Sequence, residues 1–488
     1  MTTHRRHLAY LLLIFAIGWA VRLLLALQGG CLFYPDEWRY FAGVRMLHAL
    51  AGGQGVESVR ILMEAGGHAG FAIASLPPLV AQGVLRVFTG LHPEETLVIA
   101  QIWLTFLSAL LPLAVYALAR RRGAETGEAL AAALFCMAST SMIRYSRHLF
   151  PYDASLLALL AGGWLACKRD ARGPLLTAGG MVAGFGLWVY NGHWAACLTL
   201  CLFVALQQWC AAGTPVRRIA RIACFAGGLL VVPLLNALLS ELTDAGLGDK
   251  LVRHSGSMVG GTPSEGWWIP WAYFARSEGL MLPLLAGGAL LTLRRGGRSG
   301  RWAALAALTL YLLLVVSSNG IGLWPVFGRH ARSLLPLLCI AAAAGWAGAL
   351  RERPRGRAAL ALLAAAASAW NYATPLRERF PTDLLPGLLR EHPGDVRVFA
   401  ENVGQMQPFA EPELLDPRAR YVFTNPYVPK PVGGHLPPPA GRVLWSIPHP
   451  SQLPYNHYNG YLAHERDWLR REDFSVKWID TRPEAGQE

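Results

Sequence analysis

The feature that most constrains this chain is a series of long apolar blocks almost free of charge. The first is Leu8–Leu27, with Arg22 as its one charged residue. Others fall at Leu97–Ala119, Ala129–Ile143, Ala154–Cys167, Pro174–Tyr190, Trp194–Cys210, Ile222–Leu239, Gly279–Leu293, Trp302–Ser318, Leu334–Leu350 and Ala358–Tyr372. A bilayer core about 30 Å thick takes about 17–25 helical residues, and several blocks sit near that lower limit. Leu8–Leu27 is too long for a cleaved leader and lacks a small-residue cleavage site, so it reads as a retained span.

Composition supports a membrane protein. Of 488 residues, 53% are apolar and 15% charged, against about 25% charged in soluble domains. A soluble enzyme, a disordered chain and a secreted disulfide scaffold are excluded. The net charge of +13, from 44 basic and 31 acidic residues, would suggest nucleic acid in a soluble protein. Here the basic residues sit in short clusters between apolar blocks: Arg5/Arg6, Arg120–Arg122, Lys168/Arg169/Arg172, Arg217/Arg218/Arg221, Arg294–Arg301 and Arg351–Arg357. No nucleic-acid partner is expected. With eleven spans and a cytoplasmic N-terminus, every cluster falls inside, as the positive-inside rule requires. Ala69–Leu85, interrupted by Pro77-Pro78, would invert that pattern if it crossed, and is expected to lie at the outer surface. Seven of the eight cysteines lie within apolar blocks and no CxxC occurs, so neither a disulfide nor a zinc framework is supported.

The character changes at residue 374. Residues 374–488 hold 17 of the 32 prolines and read as a small extracytoplasmic α/β domain after a transmembrane domain (1–373) with an outer loop at 28–96. Strands are expected at Val396–Ala400, Tyr421–Thr424, Arg442–Ile447 and Phe474–Ile479, a helix at His464–Arg471 and a loop at Pro426–Pro439.

The chemistry-bearing residues gather in the outer loops. The first carries Asp36 and Glu37, followed by Arg39 and Tyr40. A carboxylate beside hydrocarbon gains proton affinity and can serve as a general base, although Pro-Asp-Glu also suits a helix start. The second carries Arg144, Arg147, His148 and Asp153. Arginine binds phosphate bidentately, and interfacial snorkelling explains the same residues equally well. A long loop, Glu241–Ser277, carries Trp267, Trp268 and Trp271, which read as an interfacial belt. The last relevant loop carries Arg329, His330 and Arg332, whose outward placement against the charge bias calls for an anionic headgroup. Together these loops suit a transferase acting on a lipid phosphate. Nearly uncharged span centres fit a channel or transporter poorly.

These residues resemble the GT-C glycosyltransferases of the protein-mannosyltransferase and aminoarabinose-transferase type (glycosyltransferase family 39-like). The likeness rests on four motifs in order: Pro35-Asp36-Glu37-Trp38-Arg39-Tyr40-Phe41, Leu76-Pro77-Pro78-Leu79 with Gly90–Glu95, Tyr145-Ser146-Arg147 with Pro151-Tyr152-Asp153, and Gly328–Pro336. In the tail, Tyr458–Tyr461 with Glu465-Arg466 is similar to the end of some bacterial members. The resemblance implies an α-helical polytopic GT-C fold of the bacterial inner membrane. It implies inverting transfer of a sugar from a polyprenyl-phosphate donor to an extracytoplasmic acceptor, with Asp36 as base, Glu37 positioning substrate, and Arg147, His148, Arg329 and Arg332 stabilising the departing phosphate. His330 stands where an aromatic is common in that family. A divalent metal, with His254 and Glu265 as conceivable ligands, is the one cofactor left open. Two alternatives stay open: an oligosaccharyltransferase or ligase using a lipid-linked glycan, and a non-enzymatic flippase for lipid-linked sugars.

Overall fold

The structure is a computed structural model, and the residues it describes are 3–29, 37, 39–64, 69–91, 93–168, 171–245, 269–317, 328–377, 380–400, 420–425, 441–448 and 475–482. It is mostly helical. The chain runs α1 (Thr3–Leu27), α2 (Arg39–Ala51), α3 (Gly55–Glu64), α4 (Ala69–Ala74), α5 (Leu76–Thr89), α6 (Leu97–Arg121), α7 (Thr126–Ala138), α8 (Thr140–Ile143), α9 (Tyr152–Ala166), α10 (Gly173–Val189), α11 (Trp194–Trp209) and α12 (Pro215–Leu242). It continues through α13 (Ile269–Ser277), α14 (Met281–Arg295), α15 (Arg298–Val315), α16 (Gly328–Ala331), α17 (Leu335–Ala349), α18 (Pro354–Arg377) and α19 (Pro381–Glu391). A sheet of β1 (Val396–Ala400), β2 (Tyr421–Asn425), β3 (Arg442–Pro448) and β4 (Ser475–Asp480) follows.

Four helical stretches are long and apolar enough to cross a bilayer: Arg5–Leu27, Leu97–Arg121, Pro215–Leu242 and Gly328–Ala349. A fifth qualifies if Thr126–Ala138 and Thr140–Arg147, bent by 69°, form one broken span. The sequence pattern gave eleven blocks. Several of the others fold into shorter helices; α9 and α10 have 15 and 17 residues and rise about 23–26 Å, less than a hydrocarbon core about 30 Å thick. Large apolar side chains are exposed along α1 (Leu8, Leu12, Leu24) and α12 (Leu230, Leu234, Leu238). Faces of this kind suit lipid, which is as apolar as leucine.

Small residues set the closest helix crossings. A Cβ on Gly180 of α10 would lie 2.1 Å from the Phe225 carbonyl oxygen of α12, and one on Gly228 would lie 2.1 Å from the Thr177 carbonyl oxygen. Glycine is required where two backbones approach this closely. The Pro77-Pro78 pair opens α5 after a break at Ser75, as proline's missing N–H allows in a first turn.

In the tail the strand order is β1-β2-β4-β3. β1 and β2 are parallel, and β4 is antiparallel to both β2 and β3. The amphipathic α19, absent from the sequence reading, covers the sheet through Leu385, which packs with Val396, Tyr421, Val476 and Trp478. The expected helix His464–Arg471 and loop Pro426–Pro439 lie outside the described residues.

Candidate functional site

The site is built on a break in the third apolar block. Between α7 and α8, Ser139 takes an extended conformation, freeing donors on one side and acceptors on the other. Both sets are satisfied by distant residues. The buried Glu278 carboxylate accepts from Ser139 Oγ at 2.7 Å, the Thr140 amide at 3.1 Å and the Ser141 amide at 2.9 Å. On the other side, Tyr372 Oη donates to the Met137 carbonyl at 2.8 Å and Ser368 Oγ to the Ala138 carbonyl at 3.0 Å. A non-helical backbone deep in a bundle persists only with such partners. Burial pushes the Glu278 carboxyl above its usual range, while its serine and backbone donors hold it down. Arg22 ties α1 to the same region, donating through Nε to Ser108 at 2.8 Å and through Nη2 to the Met142 carbonyl at 3.4 Å.

The bend directs residues 144–153 across one end of the bundle. Arg147 donates through Nε to the Gly29 carbonyl at 3.0 Å, and its guanidinium lies 4.7 Å from the ring centroid of Phe380. Gln101 of α6 fixes the Arg147 carbonyl at 2.8 Å. Buried Glu37 accepts from the Leu149 amide at 2.9 Å and lies 3.2 Å from Nδ1 of buried His148. Glu37 thus holds the second loop in place, and Phe380 closes over His148 with ring centroids 5.1 Å apart.

Asp153, at the start of α9, forms an ion pair with Arg332 across the bundle. Arg332 is fully buried. Its guanidinium lies 4.7 Å from the Tyr145 ring centroid, and its Nε and Nη1 have no acceptor among the described residues. Beside it, His330 Nε2 lies 3.2 Å from Tyr190 Oη. Arg144 and Arg329 are buried in the same two loops.

The sequence reading missed the short turn between α10 and α11, which brings His193 to this cluster. Ser155 Oγ donates to the Gly186 carbonyl at 2.7 Å and lies 2.9 Å from His193 Nδ1. The one hydroxyl proton goes to the carbonyl, so Nδ1–H is the donor to Ser155 and Nε2 carries a lone pair. That Nε2 is buried and has no partner among the described residues. Burial holds the imidazole well below its ordinary pKa, and the charges of Arg332 and His330 act in the same direction. The only hint in the sequence was a histidine between two apolar blocks.

The structure therefore unites Glu37, His148, Arg144, Arg147, Asp153, Arg329, His330 and Arg332 at one end of the bundle. Tyr40 belongs to a separate layer. Its hydroxyl donates to Gln82 Oε1 at 2.6 Å, the Gln82 amide donates to the Thr96 carbonyl at 3.0 Å, and burial raises the phenol's pKa. Arg39 sits half-buried in the first turn of α2. Asp36, His254 and Glu265 lie outside the described residues. Among the described residues, no group of three His, Cys, Asp or Glu side chains is placed to hold a metal ion.

No protein-family model matches the chain, and no curated protein matches it. Among solved structures, the chain is similar to the crystal structure of the Archaeoglobus fulgidus oligosaccharyltransferase in its apo form. The TM-score is 0.42 and the identity 11%, over 84% of this chain and 60% of that one. The chain spans about three-fifths of that protein's length.

Proposed function

We propose that this protein is a polytopic membrane glycosyltransferase of the GT-C type, with eleven spans and the 374–488 domain outside the cytoplasm. It transfers a sugar from a polyprenyl-phosphate donor to an extracytoplasmic acceptor. The observation that carries this reading is Arg332: buried, paired through Nη2 with Asp153, and left with two nitrogens, Nε and Nη1, without an acceptor among the described residues, beside His330 and His193. Buried donors without acceptors cost about 1–3 kcal/mol each, and a phosphate oxygen supplies the missing partner.

In this reading the acceptor's nucleophilic atom forms a bond to the anomeric carbon as the carbon–oxygen bond to phosphate breaks. Asp36, the residue before Glu37, takes the acceptor's proton. The lipid phosphate gains negative charge as it departs, and Arg332, with Arg144, Arg147 and Arg329 nearby, stabilises it. Donors fixed in advance toward developing charge give one of the larger contributions to catalysis. Glu37 acts through His148 and Leu149, keeping the arginine loop in register.

The test is transfer of a labelled sugar by purified enzyme in proteoliposomes, with polyprenyl-phosphate sugars extracted from cells that lack the protein as donor. Asp36→Asn is expected to fold and to abolish transfer. An active Asp36→Asn enzyme refutes the base assignment. Lipid-linked sugar crossing the bilayer without any glycosyl product refutes the enzyme reading.

A further inference from the structure

The opposite end of the bundle carries a polar hollow, a cavity of about 380 Å³. It opens between Arg122 after α6, Gln207 and Cys210 near the end of α11, and Arg298, Arg301 and Trp302 at the start of α15. Among the described residues, its lining includes no acidic side chain. Arg122 lies 21 residues beyond Gln101, the α6 residue that holds the candidate site, which is about 31 Å along the helix.

The local geometry is that of an anion receptor. The Arg122 guanidinium lies 4.5 Å from the ring centroid of Trp302, and its Nη1 donates to Gln207 Oε1. These contacts fix the side chain but use few of its donors. Arg122 Nε, Gln207 Nε2 and Trp302 Nε1 are all buried atoms without an acceptor among the described residues. All three are donors on side chains that line the hollow, and Arg298 and Arg301 add two exposed charges. An oxyanion with several lone pairs satisfies this set; a cation or a neutral sugar does not.

What lies behind the hollow indicates the anion's source. Phe203 and Trp302 also line a narrow apolar crevice of about 60 Å³, which passes Leu118, Leu160 and Leu310 on its way to Pro336. At the mouth, Leu206 and Leu305 are exposed. A charged socket that shares two wall residues with an apolar crevice suits an amphiphile, whereas free phosphate would use the socket alone. We infer that Arg122, Gln207, Trp302, Arg298 and Arg301 bind the phosphate of an anionic phospholipid, with an acyl chain entering the crevice. This site is independent of the transfer reaction, and failure of either reading leaves the other standing.

The experiment is native mass spectrometry of the full-length protein, delipidated in detergent and titrated separately with phosphatidylglycerol, phosphatidylcholine, a polyprenyl phosphate and inorganic phosphate. Phosphatidylglycerol is expected to bind at least tenfold more tightly than phosphatidylcholine. Each of Arg298→Gln and Arg301→Gln is expected to weaken it about fivefold, and Arg122→Gln about tenfold or more. Phosphatidylglycerol is also expected to slow alkylation of the exposed Cys210, followed at the peptide level. Equal binding of the two phospholipids overturns the proposal, as does unchanged affinity in the double variant of the exposed Arg298 and Arg301. Unprotected Cys210 overturns the location. Tighter binding of inorganic phosphate or of the polyprenyl phosphate overturns the phospholipid assignment.

Discussion

The Asp153–Arg332 pair allows structural and chemical roles to be separated. Arg332 is wholly buried and Asp153 nearly so. Removing one partner of a buried pair leaves an uncompensated charge and costs about 3–5 kcal/mol, whereas neutralising both is close to neutral. Asp153→Asn and Arg332→Gln should each lower the midpoint of thermal unfolding in detergent, and the double variant should recover most of that loss. Activity should behave differently. If Arg332 stabilises the departing phosphate, its loss should cost about 2.7–4 kcal/mol of transition-state stabilisation, or roughly 10²–10³ in rate. The restored double variant should therefore remain as inactive as Arg332→Gln alone. Unfolding is followed by a thiol-independent fluorescence melt, and transfer by single-turnover release of labelled product from saturating donor. A double variant that regains both stability and rate refutes the reasoning, because the pair would then be only a brace. Single variants with unchanged melting would refute the buried-pair energetics.

Other consequences can be measured independently. Glu278→Gln replaces the charged acceptor at the α7–α8 break and should destabilise the fold by about 1–3 kcal/mol, read as earlier trypsin cleavage; an unchanged digestion profile counts against it. His193 has a folded pKa below its unfolded value of about 6.5, so the unfolded state binds more protons. Stability should therefore be full above about pH 6.5 and fall as the pH drops below it. His193→Asn should flatten that dependence in pH-scanned melting curves. Gly180→Leu places a side chain where a Cβ already lies 2.1 Å from the Phe225 carbonyl oxygen. It should cost at least the 1–3 kcal/mol typical of overpacking, and wild-type expression and melting would contradict the close α10–α12 crossing.

Much of the architecture was legible in the sequence because burial in lipid and in a sheet both leave simple patterns. The four tail strands fall within a residue or so of the expected runs, since short β-branched and aromatic segments between prolines have few alternatives. Counting basic clusters put the Glu37, Arg147 and Arg332 loops on one side as an expectation, and the structure brings them together through Glu37–His148, Arg332–Asp153 and Arg332–Tyr145. The α7–α8 break was not legible, because no Pro or Gly marks it. Its acceptor, Glu278, lies 139 residues from Ser139, and only tertiary contact pairs them. His193 was hidden for a related reason. A three-residue turn between two apolar blocks reads as a connector until Ser155, on another helix, fixes its tautomer. The number of spans was least legible, because composition marks eleven apolar blocks whereas only four or five helical stretches among the described residues have full crossing length, with α9 and α10 shorter at 15 and 17 residues.

Phe380 has a consequence for how this protein can be rebuilt. It stands between α18 and α19, on the short link to the sheet, yet its ring is wholly enclosed against Arg147 and His148. A chimera that exchanges the tail at residue 377 would also exchange this plug. A graft with a small residue in its place would uncover the guanidinium of Arg147 and admit water to the imidazole. Tail and candidate site are therefore inherited together, and a swap that keeps the site intact must carry an aromatic ring at the seam.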